Sequence, residues 1–325
     1  MSTNILLDHE GGMNMKKRNI ALLVLFVLAV GFFVFPKIYQ KDSMTYDDAA
    51  AKWAKGKFVT VDGRKIHYLE RGEGMPVILI HGFLYSTFMW EKNIETLAKS
   101  FKVYAIDLWG WGYSERLKEL NYSFDLYGKQ VVGFMDALKI PKASLVGQSM
   151  GGGISVYVAA NYPDRIDRLI LVDPAVLPYP IPASGKFYQI PFVGEFLNAI
   201  PGNALTKKNI ETLWFYDPKK VTDDYVEEVV KPLSIKGSLD GLMFILRNVL
   251  KDPFVEGEAK KLAKFNKPIL ILHGREDKAI PLDRSQQLNA LWKGSQLVVI
   301  EKAGHTPHEE YPEKFNQLAV EFLSK

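Results

Sequence analysis

The pentapeptide Gly147-Gln148-Ser149-Met150-Gly151 constrains this chain more than any other stretch. The apolar pair Leu145-Val146 leads into it, and a helix pattern of small residues follows at once. That arrangement predicts a strand that stops, turns sharply on Ser149 and continues as a helix. Such a turn strains its central residue, and only glycine-sized neighbours two positions before and after it avoid a clash. Gly147 and Gly151 occupy those positions. The turn lifts the Ser149 hydroxyl clear of a sheet and aims the Met150 N–H, at a helix N-terminus, toward an oxyanion on a bound substrate.

The surrounding sequence has the rhythm such a turn requires. A hairpin is expected from residues 58–61 and 65–69 around Asp62-Gly63, followed by strands at 76–80 and 103–106, the strand carrying Leu145-Val146 into the turn, and one at 169–172. Helical spacing at 87–99, at 124–138 and after Ser149 separates them, which predicts a mostly parallel, doubly wound sheet of about eight strands. The rhythm breaks after Asp173. Prolines 174, 178, 180, 182 and 191 exclude regular strands there, and helical segments are expected near 205–215, 223–230 and 239–250. Strand and helix alternate again from Pro268 to Leu323. The reading is therefore one α/β core (58–173 and 264–325) interrupted by a helical cap (174–263).

The N-terminus carries a different signal. Lys16-Lys17-Arg18 precedes residues 20–35, an uncharged apolar run. A transmembrane signal anchor at 20–36 is expected, with residues 1–19 in the cytoplasm, a linker at 37–57 and the catalytic part on the extracytoplasmic side. A cleaved signal is the alternative; its one fair site, Ala29-Val30-Gly31, would leave an exposed apolar end at Phe32. Met13 and Met15 stand just before the basic cluster, and residues 1–14 show no periodicity, so they read as upstream sequence.

Composition narrows the chemistry. The formal charge is only +4 and no basic stripe occurs, so nucleic acid is not an expected partner. With no cysteine the chain has no disulfide, thiol nucleophile or lipid-modified thiol. Ser149 needs a base and an orienting carboxylate. His305 lies in the breaker-rich loop Ala303-Gly304-His305-Thr306-Pro307 after the expected strand 297–300. Asp277 follows the strand 268–272, with Asp173 as its rival and Glu276 expected to point elsewhere. Loops at the carboxyl ends of parallel strands are where sites form in such sheets. His81-Gly82-Phe83 follows the strand 76–80, so the Phe83 N–H is the second candidate oxyanion donor. His81 is read as structural. His308 completes a His-x-x-His pair without a third ligand, so no metal is expected.

Five motifs in order now carry a resemblance. They are His81-Gly82-Phe83 after an apolar strand, Asp107-x-x-Gly110-x-Gly112-x-Ser114, the Ser149 pentapeptide with Gly152, His273-Gly274-x-x-Asp277, and Gly304-His305. Together they resemble the α/β-hydrolase superfamily over residues 58–323 apart from the cap. Within it the chain resembles membrane-anchored serine esterases and monoacylglycerol lipases, and is also similar to serine C–C hydrolases of aromatic-ring degradation. The resemblance implies acyl transfer through Ser149, His305 and Asp277, with Phe83 and Met150 as oxyanion donors and no cofactor. Phe83, Phe187, Trp214, Met243 and Phe244 are expected to bind substrate, and Arg247 to form a salt bridge. The main expectation is a carboxylic ester hydrolase acting on apolar or lipid-like esters at a membrane. A C–C hydrolase of ring-cleavage products and a non-catalytic binding protein are the alternatives.

Overall fold

Short runs of valine, isoleucine and leucine between breakers form one sheet because both faces of each run can be buried at once. The computed structural model describes residues 15–39, 41–250 and 255–325. Its strands are β1 (Lys57–Val61), β2 (Arg64–Arg71), β3 (Pro76–Ile80), β4 (Lys102–Ile106), β5 (Ala143–Gln148), β6 (Ile166–Val172), β7 (Ile269–Gly274) and β8 (Gln296–Ile300). The spatial order is β1-β2-β4-β3-β5-β6-β7-β8, with β2 antiparallel to both its neighbours and β3 to β8 parallel.

The helices are α1 (Met15–Ile38), α2 (Tyr46–Trp53), α3 (Glu91–Leu97), α4 (Phe124–Ala137), α5 (Met150–Asn161), α6 (Ala183–Gln189), α7 (Val193–Ala199) and α8 (Ala204–Leu213). They continue with α9 (Asp223–Val230), α10 (Ser238–Phe244), α11 (Glu256–Leu262), α12 (Leu282–Leu291), α13 (Pro307–Glu310) and α14 (Pro312–Leu323). Strand residues alternate between two core layers. Ile78, Ile80, Leu145 and Leu171 meet α4, α5, α11 and α12, whereas Val77, Leu79, Val146 and Ile170 meet α3 and α14.

Chain order switches sides between β3 and β5: β4 lies to one side of β3, and β5 with everything after it to the other. Loops leaving the carboxyl ends of two such strands diverge and leave a crevice. Ile80 is paired with Gly147, so the loop after β3 and the turn after β5 begin side by side. That register puts Phe83 and Ser149 at one place in the fold.

Three features differ from the sequence reading. The proline-rich segment after Asp173 holds α6 and α7, two helices of seven residues each, about two turns, too short for a recognisable amphipathic pattern. The expected helix at 239–250 is split, with α10 running into a wider π-type turn at Ile245–Val249. The linker at 37–57 is not a free spacer. Met44 pairs with Ile235 in an isolated bridge, the Lys41 ammonium donates to the Gly202 carbonyl, and Asp42 accepts from the Gly237 N–H. Residues 1–14, set apart above as upstream sequence, lie outside the described residues. α1 includes Arg18–Ile38, 21 residues long and apolar enough to cross a membrane.

Candidate active site

Ser149 has φ 51° and ψ −115°, a positive φ that a non-glycine residue adopts only under constraint. The constraint is visible. The Ser149 N–H donates to the Val172 carbonyl at 2.9 Å, and its own carbonyl accepts from Ala175 N and Gly153 N. The two glycines serve close approach between elements. A Cβ on Gly147 would stand 2.3 Å from the Gly151 carbonyl oxygen, and one on Gly151 would stand 2.3 Å from that of Ile80. Met150 opens α5, fully buried, with its N–H in the first turn of the helix.

His305, in the loop after β8, directs Nδ1 at Asp277 Oδ2, 2.7 Å away. The Asp277 Oδ1 accepts from the N–H groups of Ala279 at 2.7 Å and Ile280 at 3.0 Å. Burial works against the charge on Asp277, but the His305 imidazole and these N–H donors hold its carboxyl below the usual range. Nδ1–H therefore donates to the carboxylate and leaves Nε2 of His305 as an acceptor, and His305 and Ser149 line one pocket.

Asp173, the rival carboxylate, is fully buried after β6 and accepts the Gly274 N–H at 2.9 Å. Burial first, and the neighbouring Asp277 second, push it well above the usual carboxyl range, so it is the protonated member of the pair. The geometry gives His305 to Asp277. Asp173, Asp277 and His305 hold ligand-type atoms within 4.8 Å of one another, as a metal site would. Asp277 is held by His305 and by the Ala279 and Ile280 N–H groups, and Asp173 Oδ1 by the Gly274 N–H, while Asp173 Oδ2 is buried without a hydrogen-bond partner among the described residues. Glu276 turns away and accepts from Ala303 N at 3.1 Å.

The other histidines have structural surroundings. His81 donates from Nδ1 to the Gly82 carbonyl and accepts the Leu108 N–H at Nε2, which shapes the loop that carries Phe83. His308 lies against the rings of Trp90 and Phe315, and burial drives its pKa down to about 3. His273 donates to the Ile280 carbonyl and accepts from the Ser285 hydroxyl.

Above these groups lies a cavity of about 180 Å³, lined by Phe83, Gln148, Ser149 and His305 from the core and by α6, α8 and α10 segments from the cap. Of the expected substrate contacts, Phe83 and Trp214 line it. Phe187 does not: it points outward and is 58% exposed. Met243 is buried behind the lining against Gly194, and the Phe244 ring lies tilted at 6.1 Å from that of Tyr122, so both are packing residues. In their place the lining has Tyr179, Tyr188, Gln189, Asn198, Thr206 and Asn209. No lysine or arginine occurs among the described lining residues. Arg247 forms the expected salt bridge, with two 2.7 Å contacts to Glu195, and also binds the Gln189 and Ile190 carbonyls.

Gln148 is the contributor that spacing alone passed over. It is buried, and it donates from Nε2 to the His305 carbonyl at 2.9 Å. Its position, immediately before the turn and facing Gly82, was the available signal.

The chain matches the profile described as alpha/beta hydrolase fold over residues 75–193 and 248–312. It belongs to the α/β-hydrolase fold family. Among curated relatives of this hydrolase, a 2-hydroxymuconate semialdehyde hydrolase of Pseudomonas sp. strain CF600 is 30% identical over 279 residues, 83% of this chain and 94% of the relative. A 2-hydroxy-6-oxo-2,4-heptadienoate hydrolase of Pseudomonas putida is 27% identical, over 83% and 96%. Among solved structures, a meta-cleavage product hydrolase from Pseudomonas fluorescens IP01 superposes with a TM-score of 0.74 at 29% identity, covering 83% of this chain and 97% of that one.

These relatives correct two expectations. The resemblance to membrane-anchored esterases and monoacylglycerol lipases gives way to one with hydrolases of ring-cleavage products. The carboxylic ester hydrolase reading falls with it, because these relatives are named for dienoate and semialdehyde substrates and not for esters.

Proposed function

We propose that this hydrolase cleaves a C–C bond in 2-hydroxy-6-oxo-dienoates, the products of aromatic-ring cleavage. In this reading Ser149 is the nucleophile, His305 the base and Asp277 its orienting carboxylate. The observation that carries the reading is the match, along nearly the full length of the relatives, to hydrolases named for substrates of this class.

The chemistry fits the groups present. Such a substrate has an enol at carbon 2 and a ketone at carbon 6. Proton transfer from that enol to carbon 5 gives the 2-oxo form, in which the bond between carbons 5 and 6 can break heterolytically. Ser149 Oγ adds to the carbon-6 carbonyl while His305 Nε2 takes its proton, and the oxyanion rests on the Phe83 and Met150 N–H groups. Collapse of the adduct breaks the bond and leaves the acyl group on Ser149; carbons 1–5 depart as a dienolate, which takes the proton held by His305 and is released as a 2-hydroxydienoate. One water, deprotonated by His305, then frees the acid.

The cavity supports one branch of this class. A single substrate carboxylate can be received by the amides of Asn198, Asn209 and Gln189 and the hydroxyl of Thr206. A second carboxylate, as in the dienedioates for which other relatives are named, would meet no lysine or arginine among the described lining residues. Burying an unpaired charge costs several kcal/mol. The preferred substrate is therefore a monocarboxylate with an apolar group on carbon 6.

Turnover is read from loss of the visible absorbance of a 6-alkyl or 6-phenyl 2-hydroxy-6-oxo-dienoate. Wild type should bleach it and discriminate against the dienedioate, and Ser149→Ala should do neither. No bleaching by a protein whose Ser149 still reacts with a fluorophosphonate would sink the C–C reading and leave the nucleophile in place.

For location, we propose that α1 anchors the chain in a membrane with the catalytic part on the extracytoplasmic side. The basic run Lys16-Lys17-Arg18 before the apolar stretch supports that orientation. Resistance to alkaline extraction, together with protease sensitivity of the core from outside intact cells, tests it.

A further inference from the structure

α6 has two dissimilar faces. Gly185, Tyr188 and Gln189 line the cavity, whereas Phe187 and Ile190 point away from it, 58% and 46% exposed. Phe192, at the start of α7, is 56% exposed, and Ile200, just after α7, is 36% exposed. Lys186 is the exposed cation of this face. Bulky apolar groups gathered on a rim with a basic residue mark a surface that meets something apolar.

What it meets follows from the neighbouring helix. The last turns of α1 pack on α7: Phe32 stacks on Phe196 at 4.9 Å, Phe35 lies 5.4 Å from the same ring, and Phe33 meets Phe192 edge-on at 5.0 Å. The chain is tied to the cap again from Lys41 on, because Lys41, Asp42 and Met44 are bonded to Gly202, Gly237 and Ile235. The apolar length of α1 leaves little to spare, since Arg18–Ile38 rises only about 32 Å against a hydrocarbon core of about 30 Å. Phe32 stands about 9 Å short of the helix end at 1.5 Å per residue. If α1 spans a bilayer, Phe196 and its neighbours cannot remain in bulk water.

We propose that the α6–α7 face of the cap, with Phe187, Ile190 and Phe192 at its centre, is seated in the interfacial layer of the lipid bilayer. Aromatic and aliphatic side chains lie at the headgroup boundary, with Lys186, Lys37 and Lys41 near the phosphates. The catalytic cavity then lies one helix diameter, about 10 Å, from the lipid. This rests on the membrane reading of α1 and is independent of which bond the enzyme breaks.

The chain has no cysteine, so single reporters can be placed in the full-length protein without background. Phe187→Cys and Ile190→Cys, each carrying an environment-sensitive fluorophore, are reconstituted into phosphatidylcholine–phosphatidylglycerol vesicles at no more than one copy per vesicle. Leu28→Cys reports the span itself, and Lys142→Cys, at the opposite end of the sheet, reports water. Nitroxide lipids bearing the spin label near the headgroup should strongly quench the labels at 187 and 190 and leave the label at 142 bright. Deep nitroxides should quench the label at 28. If 28 is quenched while 187 and 190 behave like 142, the cap face is not in the membrane and the proposal falls although the anchor stands. If 28 is not quenched, the membrane reading fails and takes the proposal with it.

Discussion

Gln148 joins the two halves of the site, donating from Nε2 to the His305 carbonyl while its amide oxygen lies against Gly82. One side chain thus fixes the loop of the proposed base and touches the loop of the proposed oxyanion donor. Gln148→Ala removes a buried hydrogen bond of about 1–2 kcal/mol and should lower kcat/KM by about tenfold. Gln148→Met, which fills the space without the bond, should recover stability but not rate. Full activity in both variants would show that the contact is incidental.

The two buried carboxyls should respond differently to the same change. Asp277→Asn should cut kcat by about 10³–10⁴, because the amide favours the wrong imidazole tautomer. Asp173→Asn replaces an already neutral acid and should keep activity within a few-fold. Steady-state rates of the two variants, with circular dichroism to confirm folding, decide the assignment. The reverse pattern would make Asp173 the orienting group.

Arg247 should matter for stability and not for charge recognition. It ties α7, through Glu195, to the end of α6, through the Gln189 and Ile190 carbonyls. Arg247→Met should lower the melting temperature and raise KM for every substrate alike. A selective loss on the more highly charged dienoates would instead make it a substrate contact.

Glu309 provides a pH signature. It is buried beneath the Tyr85–Tyr225 hydroxyl pair, accepts from Tyr225 at 2.8 Å, and has Lys92, Glu91 and Glu310 nearby. Burial raises its pKa from 4.5 to about 8. The folded state therefore keeps a proton that the unfolded state has released, so stability present below pH 4.5 is lost as the pH rises through about 8. Glu309→Gln, which cannot ionise, should match wild type near pH 4.5 and melt about 5 °C higher at pH 9. Equal melting temperatures at both pH values would show that the carboxyl is not held protonated.

Much of this molecule could be read from local sequence. Most strands announced themselves as short apolar runs, and Ser149, Asp277 and His305 each follow one of them. Contacts between distant residues left no such trace. Nothing in spacing joins Gln148 to His305 across 157 positions, or Met44 to Ile235. Phe187 looked like a substrate contact because aromatic composition does not reveal which way a seven-residue helix faces. The proposed bond was equally hidden, since a serine, histidine and aspartate set serves acyl transfer whatever the leaving group. The cavity wall takes residues from α6, α7 and α8, most of which the sequence reading does not single out as lining.

The bridge between Met44 and Ile235 has a practical bearing on how this chain can be cut. The cap is tied to the core by Arg116 and by the Tyr85–Tyr225–Glu309 contacts, and residues that precede the first strand add a further pin at Ile235. A shortened chain that begins beyond Met44 loses that pin together with the apolar helix. Sluggish catalysis in it would report a loosened roof and not the absence of lipid. Beginning at Lys41 removes the helix while keeping the pin, and only that boundary separates the two effects.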